Sequence, residues 1–196
     1  EGAKLLISCG EPLFKSDALN IINKFNPNFF HNFYGSTEVS PWIFSLDVIE
    51  YLSQYNEDFI LPIGEPLDGC IVKSLENELL VSCNWTFSGY LNNDKSLDKT
   101  CFIKENQNNF YKTSDRIRKK GKFFYCEGRI GMEQKVSGIR INIYEVEAML
   151  LEINYISQAV VNISNNKLKI LIYQNKTKTN NPHALKKYLY QYLDKR

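Results

Sequence analysis

The sequence has only two histidines, His31 and His183, and its five cysteines are odd in number, widely spread and free of any CxxC pair. A Ser-His-Asp triad or a histidine-rich metal centre has little to draw on, and neither a disulfide framework nor a zinc site is expected. No apolar run approaches the roughly 18 residues a membrane helix needs, and no charged-then-apolar leader precedes the first strand-like segment. The glycosylation triplets at Asn84, Asn162 and Asn175 are therefore read as silent. The turn Ser8-Cys9-Gly10-Glu11-Pro12-Leu13 lacks a GxGxxG spacing and is no dinucleotide fingerprint. With 24 basic and 22 acidic residues the net charge is +2, which gives no field to draw in nucleic acid or an anionic membrane. A cytoplasmic protein with reduced thiols, and with neither nucleic acid nor membrane as partner, is expected.

What is present is ordinary globular material: 43% hydrophobic and 23% charged residues over 196 positions, enough for one main domain and a small appended one. The chain opens almost at once on a strand-like run, with no initiating Met, and reads as a cut end. Lys4 to Ser8 reads as a buried strand, Ser16 to Phe25 as a helix capped by Ser16, Asn28 to Tyr34 as an aromatic strand and Trp42 to Tyr51 as another. From Leu61 to Glu127 short β runs punctuated by Gly and Asn suggest antiparallel pairing: Cys70 to Lys73, Leu79 to Cys83, Thr100 to Lys104 and Phe123 to Glu127. After Gly128 the texture changes to a strand pair (Gln134 to Val136, Ile139 to Ile143), a helix from Tyr144, strands at Ala159 to Ile163 and Leu168 to Tyr173, and a final helix from about Pro182. A mixed α+β fold of α/β type is expected, with a β-rich part and then a small α+β lobe.

Three stretches carry candidate chemistry. In Asn32-Phe33-Tyr34-Gly35-Ser36-Thr37-Glu38 a strand runs into a Gly turn that presents a ring, a hydroxyl and a carboxylate, groups suited to a base, a phosphate and a hard cation. The same Ser-Thr-Glu run also fits a helix N-cap. Tyr111-Lys112-Thr113-Ser114-Asp115 is placed in a turn, where Asp115 suits either the vicinal hydroxyls of a ribose or a local turn hydrogen bond. The basic run around Gly121 reads as a solvated hairpin tip. Gly128-Arg129-Ile130-Gly131, at the composition change, serves equally as a pivot or as a rigid turn.

These stretches occur in the order found in the adenylate-forming superfamily of acyl-CoA synthetases, luciferases and peptide-synthetase adenylation domains, which the chain resembles over nearly its whole length. SCGEPL resembles the family's Gly-Gly-Glu turn, NFYGSTE its Asn-x-Tyr-Gly-x-Thr-Glu loop, and LPIGEPLDG its Pro-Ile-Gly-x-Pro segment. NELLVSCNWTFSGYLN is similar to its Gly-Glu-Leu through Gly-Tyr-Leu stretch, YKTSD to Tyr-Arg-Thr-Gly-Asp, and GRIGMEQKVSGIRINIYEVE to the hinge motif.

The resemblance implies ATP or AMP as the nucleotide, with Mg2+. By it, Gly10, Glu11, Asn32, Tyr34, Gly35, Asp115 and Arg129 belong to the nucleotide site, with Asn32 and Tyr34 at adenine, Asp115 at the ribose and Arg129 at the ribose or phosphate edge. Thr37, Glu38 and Lys135 carry catalytic roles, Thr37 at phosphate, Glu38 as the metal ligand, and Lys135 in the loop that meets the acceptor thiol. Gly131 is the hinge, dividing residues 1–130, the end of a large adenylation lobe, from 131–196, a small mobile lobe. The implied partners are an amino acid or small carboxylate substrate and a phosphopantetheinyl carrier protein or coenzyme A.

Within the superfamily, Cys9 and the Cys126 to Arg129 stretch look most like D-alanine:carrier-protein ligases and amino acid adenylation domains. Cys9 either narrows the acyl pocket toward a small amino acid or is a packing thiol. The sequence departs from the family at Gly131, Ser114, Glu133 and Asn142. The family's phosphate loop would lie before residue 1, and its catalytic lysine after Arg196. An amino acid ligase fragment is thus expected, an acyl-CoA ligase fragment or a non-catalytic interaction module being the alternatives, and the isolated chain is expected to be inactive.

Overall fold

Strand β1 (Leu5–Cys9) runs parallel to β2 (Phe29–Ser36), and the crossover between them is helix α1 (Lys15–Phe25). In the computed structural model, residues 3–55, 58–91, 100–130, 134–136, 139–164 and 167–174 are described, with backbone only at 134–136, 139–140 and 174. The chain divides into two units, Glu1–Met132 and Glu133–Arg196.

In the first unit, Ala18, Ile21 and Ile22 recur at helical spacing on α1 and pack with Leu6, Leu13, Phe30, Leu46, Val48, Tyr51 and Leu61. Phe30 is 1% exposed, and burying a ring of that size contributes about 1.5–3 kcal/mol. α1 is not capped by Ser16: Phe14 is the cap residue and supplies no side-chain bond. Nor is β1 buried as expected, since Leu5 and Ile7 are 53% and 48% exposed. It lies at the sheet edge, and only Leu6 turns toward the helix.

A hairpin joins β2 to antiparallel β3 (Ser40–Asp47), and β4 (Glu65–Pro66) completes a sheet of order β1-β2-β3-β4. The strand expected to reach Tyr51 stops at Asp47. There the carboxylate accepts the Glu50 N–H at 3.0 Å and starts α2 (Val48–Gln54).

A second, antiparallel sheet holds β5 (Cys70–Leu75), β6 (Glu78–Cys83), β8 (Asn108–Lys120) and β7 (Phe102–Glu105) in that order, with β9 (Phe123–Arg129) paired to β8. Its core is Leu79, Val81, Tyr111, Ile117 and Phe124 packed with Val39, Ile43, Phe44 and Ile63. The two sheets are tied by Ile63-Gly64, which exchanges hydrogen bonds of 2.8 and 2.9 Å with Phe124. A Cβ on Gly64 would lie 1.9 Å from the Ser45 carbonyl oxygen, so glycine is required where this segment passes between the sheets.

The second unit contains the hairpin β10 (Gln134–Val136) and β11 (Ile139–Ile141), helix α3 (Ile143–Leu151), and the hairpin β12 (Ile156–Ser164) and β13 (Lys167–Gln174). Its core is Ile141, Val146, Leu150, Ile156 and Val161. Asn142, one of the departures from the family pattern, is the N-cap of α3, accepting the N–H groups of Tyr144 and Glu145 at 3.1 and 3.4 Å. The helix expected from Pro182 lies outside the described residues. No described helix is long and apolar enough to cross a membrane.

Candidate functional site

Strand alternation puts Phe30, Asn32 and Tyr34 on one face of β2, the first two buried in the unit's interior. At the end of that row the Tyr34 hydroxyl donates to Asp115 Oδ2. Asp115 does not sit in a turn, as the sequence suggested, but inside the 13-residue strand β8. The turn signal has a local cause: Ser114 holds φ 59, and the β8–β9 register slips just beyond, between Arg116 and Ile117. Thr113 steadies the spot, its hydroxyl donating to the Leu79 carbonyl and accepting the Asp115 N–H, both at 3.0 Å. Directly across the ladder, Arg129 Nε donates to Asp115 Oδ1 at 3.3 Å.

Glu38 occupies the turn between β2 and β3, so Ser36-Thr37-Glu38 makes a hairpin and caps no helix. Gly35 is required there, because a Cβ would lie 2.0 Å from the Ser40 carbonyl oxygen. The Glu38 carbonyl accepts the Phe87 N–H at 2.8 Å, and Oε1 accepts the Tyr90 hydroxyl at 3.0 Å. Tyr90 in turn lies 3.5 Å from the Tyr111 hydroxyl. Phe87 stacks edge-on against both tyrosine rings, at 4.9 and 5.4 Å.

The electrostatics link these groups into one cluster. Burial alone would raise the Glu38 carboxyl, but its own backbone N–H, the Tyr90 hydroxyl and the Arg129 charge outweigh it and hold the group below its ordinary value. Asp115 raises Arg129 further above its ordinary range. Burial, reinforced by the Asp115 charge, pushes the Tyr34 phenol well up, so it remains a donor. The same two causes push Cys126 up to about 11, which leaves its thiol neutral near pH 7.

Of the residues singled out from the sequence, Tyr34, Glu38, Asp115 and Arg129 are thus brought together. Asn32 shares the Tyr34 face, and its Oδ1 is buried without a hydrogen-bond partner among the described residues. Thr37 is exposed at the hairpin turn. Cys9, at the end of β1, is exposed and donates to the Pro41 carbonyl at 3.4 Å, so it is no buried packing thiol. Gly10 leaves β1 at φ 99, and Glu11 is exposed. Gly131 lies outside the described residues; Lys135 has a described backbone, facing Arg140 in the β10–β11 hairpin, but a side chain outside them. Sequence reasoning gave no role to Tyr90, Tyr111 or Thr113, although all three lie in the stretches that resembled family motifs. Their partners Glu38 and Leu79 are distant in sequence, so only the folded chain shows what they hold.

No family model matches the chain. Its fold is nevertheless similar to part of the solved structures of adenylate-forming enzymes. NpsA of Klebsiella oxytoca, in complex with 3-hydroxyanthranilyl-AMSN, superposes with a TM-score of 0.81 at 19% identity, over 96% of this chain and 41% of that one. O-succinylbenzoate coenzyme A synthetase of Bacillus subtilis, in complex with AMP, gives 0.75 at 20% identity over 97% and 40%. In sequence the chain is similar to the D-alanine–D-alanyl carrier protein ligase of Staphylococcus epidermidis, 29% identical over 160 residues, which are 81% of this chain and 32% of the relative. The ligase of the same name from Staphylococcus aureus is 28% identical over 155 residues, 78% of this chain and 31% of the relative. The chain therefore spans about a third of the length of these curated relatives. The likeness to adenylate-forming enzymes read from the motifs holds in both sequence and fold.

Proposed function

We propose that the chain is the nucleotide-facing part of a cytoplasmic ATP-dependent ligase that joins a small amino acid to AMP and passes the acyl group to a carrier-protein thiol. The convergence of Tyr34, Glu38, Asp115 and Arg129 from three separate segments carries this reading. Asp115 offers two carboxylate oxygens, each now accepting one protein donor, to the vicinal hydroxyls of a ribose. The orphaned Asn32 Oδ1 suits the exocyclic amine of adenine, a donor that would repair a buried unsatisfied acceptor. The Tyr34 ring would flank the base, Thr37 would donate to phosphate, and Arg129 would meet the ribose or phosphate edge. Gly10, Glu11 and Gly35 shape the surrounding turns, and Cys9 borders the acyl pocket.

Glu38 is held ionised, and no group of three or more His, Cys, Asp and Glu able to hold a metal occurs among the described residues. That fits a cation carried mainly by substrate phosphates with one carboxylate, as magnesium commonly is. Bound there, Mg2+ would neutralise charge on the phosphate oxygens. We further propose Gly131 as the pivot between the two units, with Lys135 in the loop that meets the thiol. The carrier protein is preferred as acceptor because the curated relatives are carrier-protein ligases; coenzyme A is the alternative.

AMP titrated into the isotope-labelled chain tests the site directly. Amide shifts concentrated at Asn32, Tyr34, Glu38, Asp115 and Arg129, saturating around 1 mM or about 4 kcal/mol, are expected. Shifts absent from these residues, or reproduced by inorganic phosphate alone, would remove the reading.

A further inference from the structure

Cys70 begins β5 and Cys83 ends β6, and the register sets them directly opposite each other. Their sulfurs are 3.0 Å apart, with the Cys83 thiol donating to Cys70 Sγ. Neither backbone N–H crosses the ladder here: that of Cys70 goes to the Leu67 carbonyl at 3.1 Å, that of Cys83 to the Thr86 hydroxyl at 3.0 Å. The two therefore form the non-hydrogen-bonded kind of cross-strand pair, in which Cα atoms approach to about 4.5 Å and side chains lie closest. A disulfide needs Cα atoms about 4.4–6.8 Å apart and sulfurs about 2.0 Å apart, so closure asks for roughly 1 Å of side-chain movement with the backbone already placed. Both residues are partly exposed, so a small reagent can reach them.

We propose that Cys70 and Cys83 form a reversible disulfide, a redox modification site at the base of the segment that carries Phe87 and Tyr90 onto Glu38. The oxidant class is a small soluble disulfide such as glutathione disulfide. One cysteine thiolate attacks a sulfur of that reagent, breaking its S–S bond, forming a mixed disulfide and releasing one small thiolate. The second cysteine gives up its proton and attacks the protein-side sulfur, closing the Cys70–Cys83 bond and releasing the second small thiolate. Two protein thiols are oxidised, one small disulfide is reduced to two thiols, and the two protons end on the leaving groups.

Burial and the neighbouring Cys70 sulfur push the Cys83 thiol up to about 12, in keeping with its donating the hydrogen bond to Cys70 Sγ. The segment following Cys83 is short and anchored: Thr86 bonds Cys83 through both N–H and hydroxyl, and the Phe87 N–H bonds the Glu38 carbonyl. A covalent bond at Cys83 fixes the near end of that anchor. The other cysteines serve as internal controls, with Cys9 exposed and Cys101 and Cys126 half-buried.

The test incubates the purified protein in glutathione buffers of graded ratio, alkylates the remaining thiols and maps peptides without reduction. A Cys70–Cys83 linked peptide is expected, with three of the five thiols still alkylatable and the bond reversed by excess reduced glutathione. Cys83→Ala should instead accumulate one glutathionyl group on Cys70, and neither it nor Cys70→Ala should yield a linked peptide. Either single-alanine variant, checked by its circular dichroism, shows whether loss of the link reflects loss of the fold. Five alkylatable thiols after oxidation of the folded wild type, or a link joining any other pair, overturns the proposal.

Discussion

The Tyr34 hydroxyl donates to the Asp115 carboxylate, joining the end of β2 to a residue 81 positions later in the middle of β8. Each residue belongs to a different sheet, so this bond and the Ile63-Gly64 crossing position the candidate site across the two layers of the first unit. Arg129 supplies the second donor to the same carboxylate.

Tyr34→Phe leaves the ring and its edge contact with Phe44 but removes the donor to Asp115. A hydrogen bond to a charged acceptor of this kind contributes about 1.5–3 kcal/mol. Urea unfolding of the variant should show a loss of about 2 kcal/mol with an unchanged slope, and an unaltered midpoint would deny the bond its structural role.

Gly35→Ala places a methyl carbon 2.0 Å from the Ser40 oxygen and 2.5 Å from the Pro41 carbonyl carbon, both backbone atoms that cannot rotate away. The hairpin must open to accommodate it, at a cost of about 3 kcal/mol or more. Thermal melts by circular dichroism should show a strongly lowered or lost transition; a melt like that of the wild type would contradict the close approach.

Ser114 occupies the left-handed region at φ 59, where a side chain costs about 1–2 kcal/mol and glycine is nearly free. Its N–H bond to Glu78 Oε1, at 3.0 Å, survives substitution. Ser114→Gly should therefore stabilise the protein by about 0.5–1 kcal/mol after the added entropy of the unfolded chain, read as a raised Tm. A lowered Tm would mean that the Ser114 side chain holds something the backbone angle does not reveal.

Glu38 has a folded-state value below its ordinary 4.5. A depressed carboxyl binds its proton more readily when unfolded, so its contribution is present above the unfolded value and lost as pH falls through the folded one. Urea midpoints followed from neutral pH down through the carboxylate range should fall more steeply for wild type than for Glu38→Gln. Parallel curves would show that the Tyr90 and Arg129 interactions do not favour the charged form.

Alternating apolar residues located most strands, and the ordered motifs located the four residues that converge. The errors share a cause in local chemistry that competes with pattern. Asp47 and Glu50 form an N-cap pair that turns an apolar run from strand to helix, a signal present in the sequence and overridden by its β-rich texture. Lys112-Thr113-Ser114-Asp115 has turn composition yet lies within β8, since one left-handed residue is absorbed as a strand irregularity. The Cys70–Cys83 opposition depends on hairpin register, and the Tyr90 to Glu38 bond on contact between segments 52 residues apart; neither is written in a local window.

The central claim is that this site serves adenylation, and amino-acid-dependent ATP–pyrophosphate exchange measures that most directly. It is run on the 196-residue chain and on the whole polypeptide from the reading frame that contains it, with a panel of small amino acids and carboxylates. The chain spans only about a third of its curated relatives, and attack of a carboxylate on the α-phosphate depends on several preorganised donors, each contributing about 3 kcal/mol. The account predicts no exchange by the isolated chain, exchange with a small amino acid by the whole polypeptide, and a loss of about 100-fold or more in Glu38→Gln. A whole polypeptide that folds yet exchanges with no member of the panel, or whose exchange is indifferent to Glu38→Gln, would contradict it.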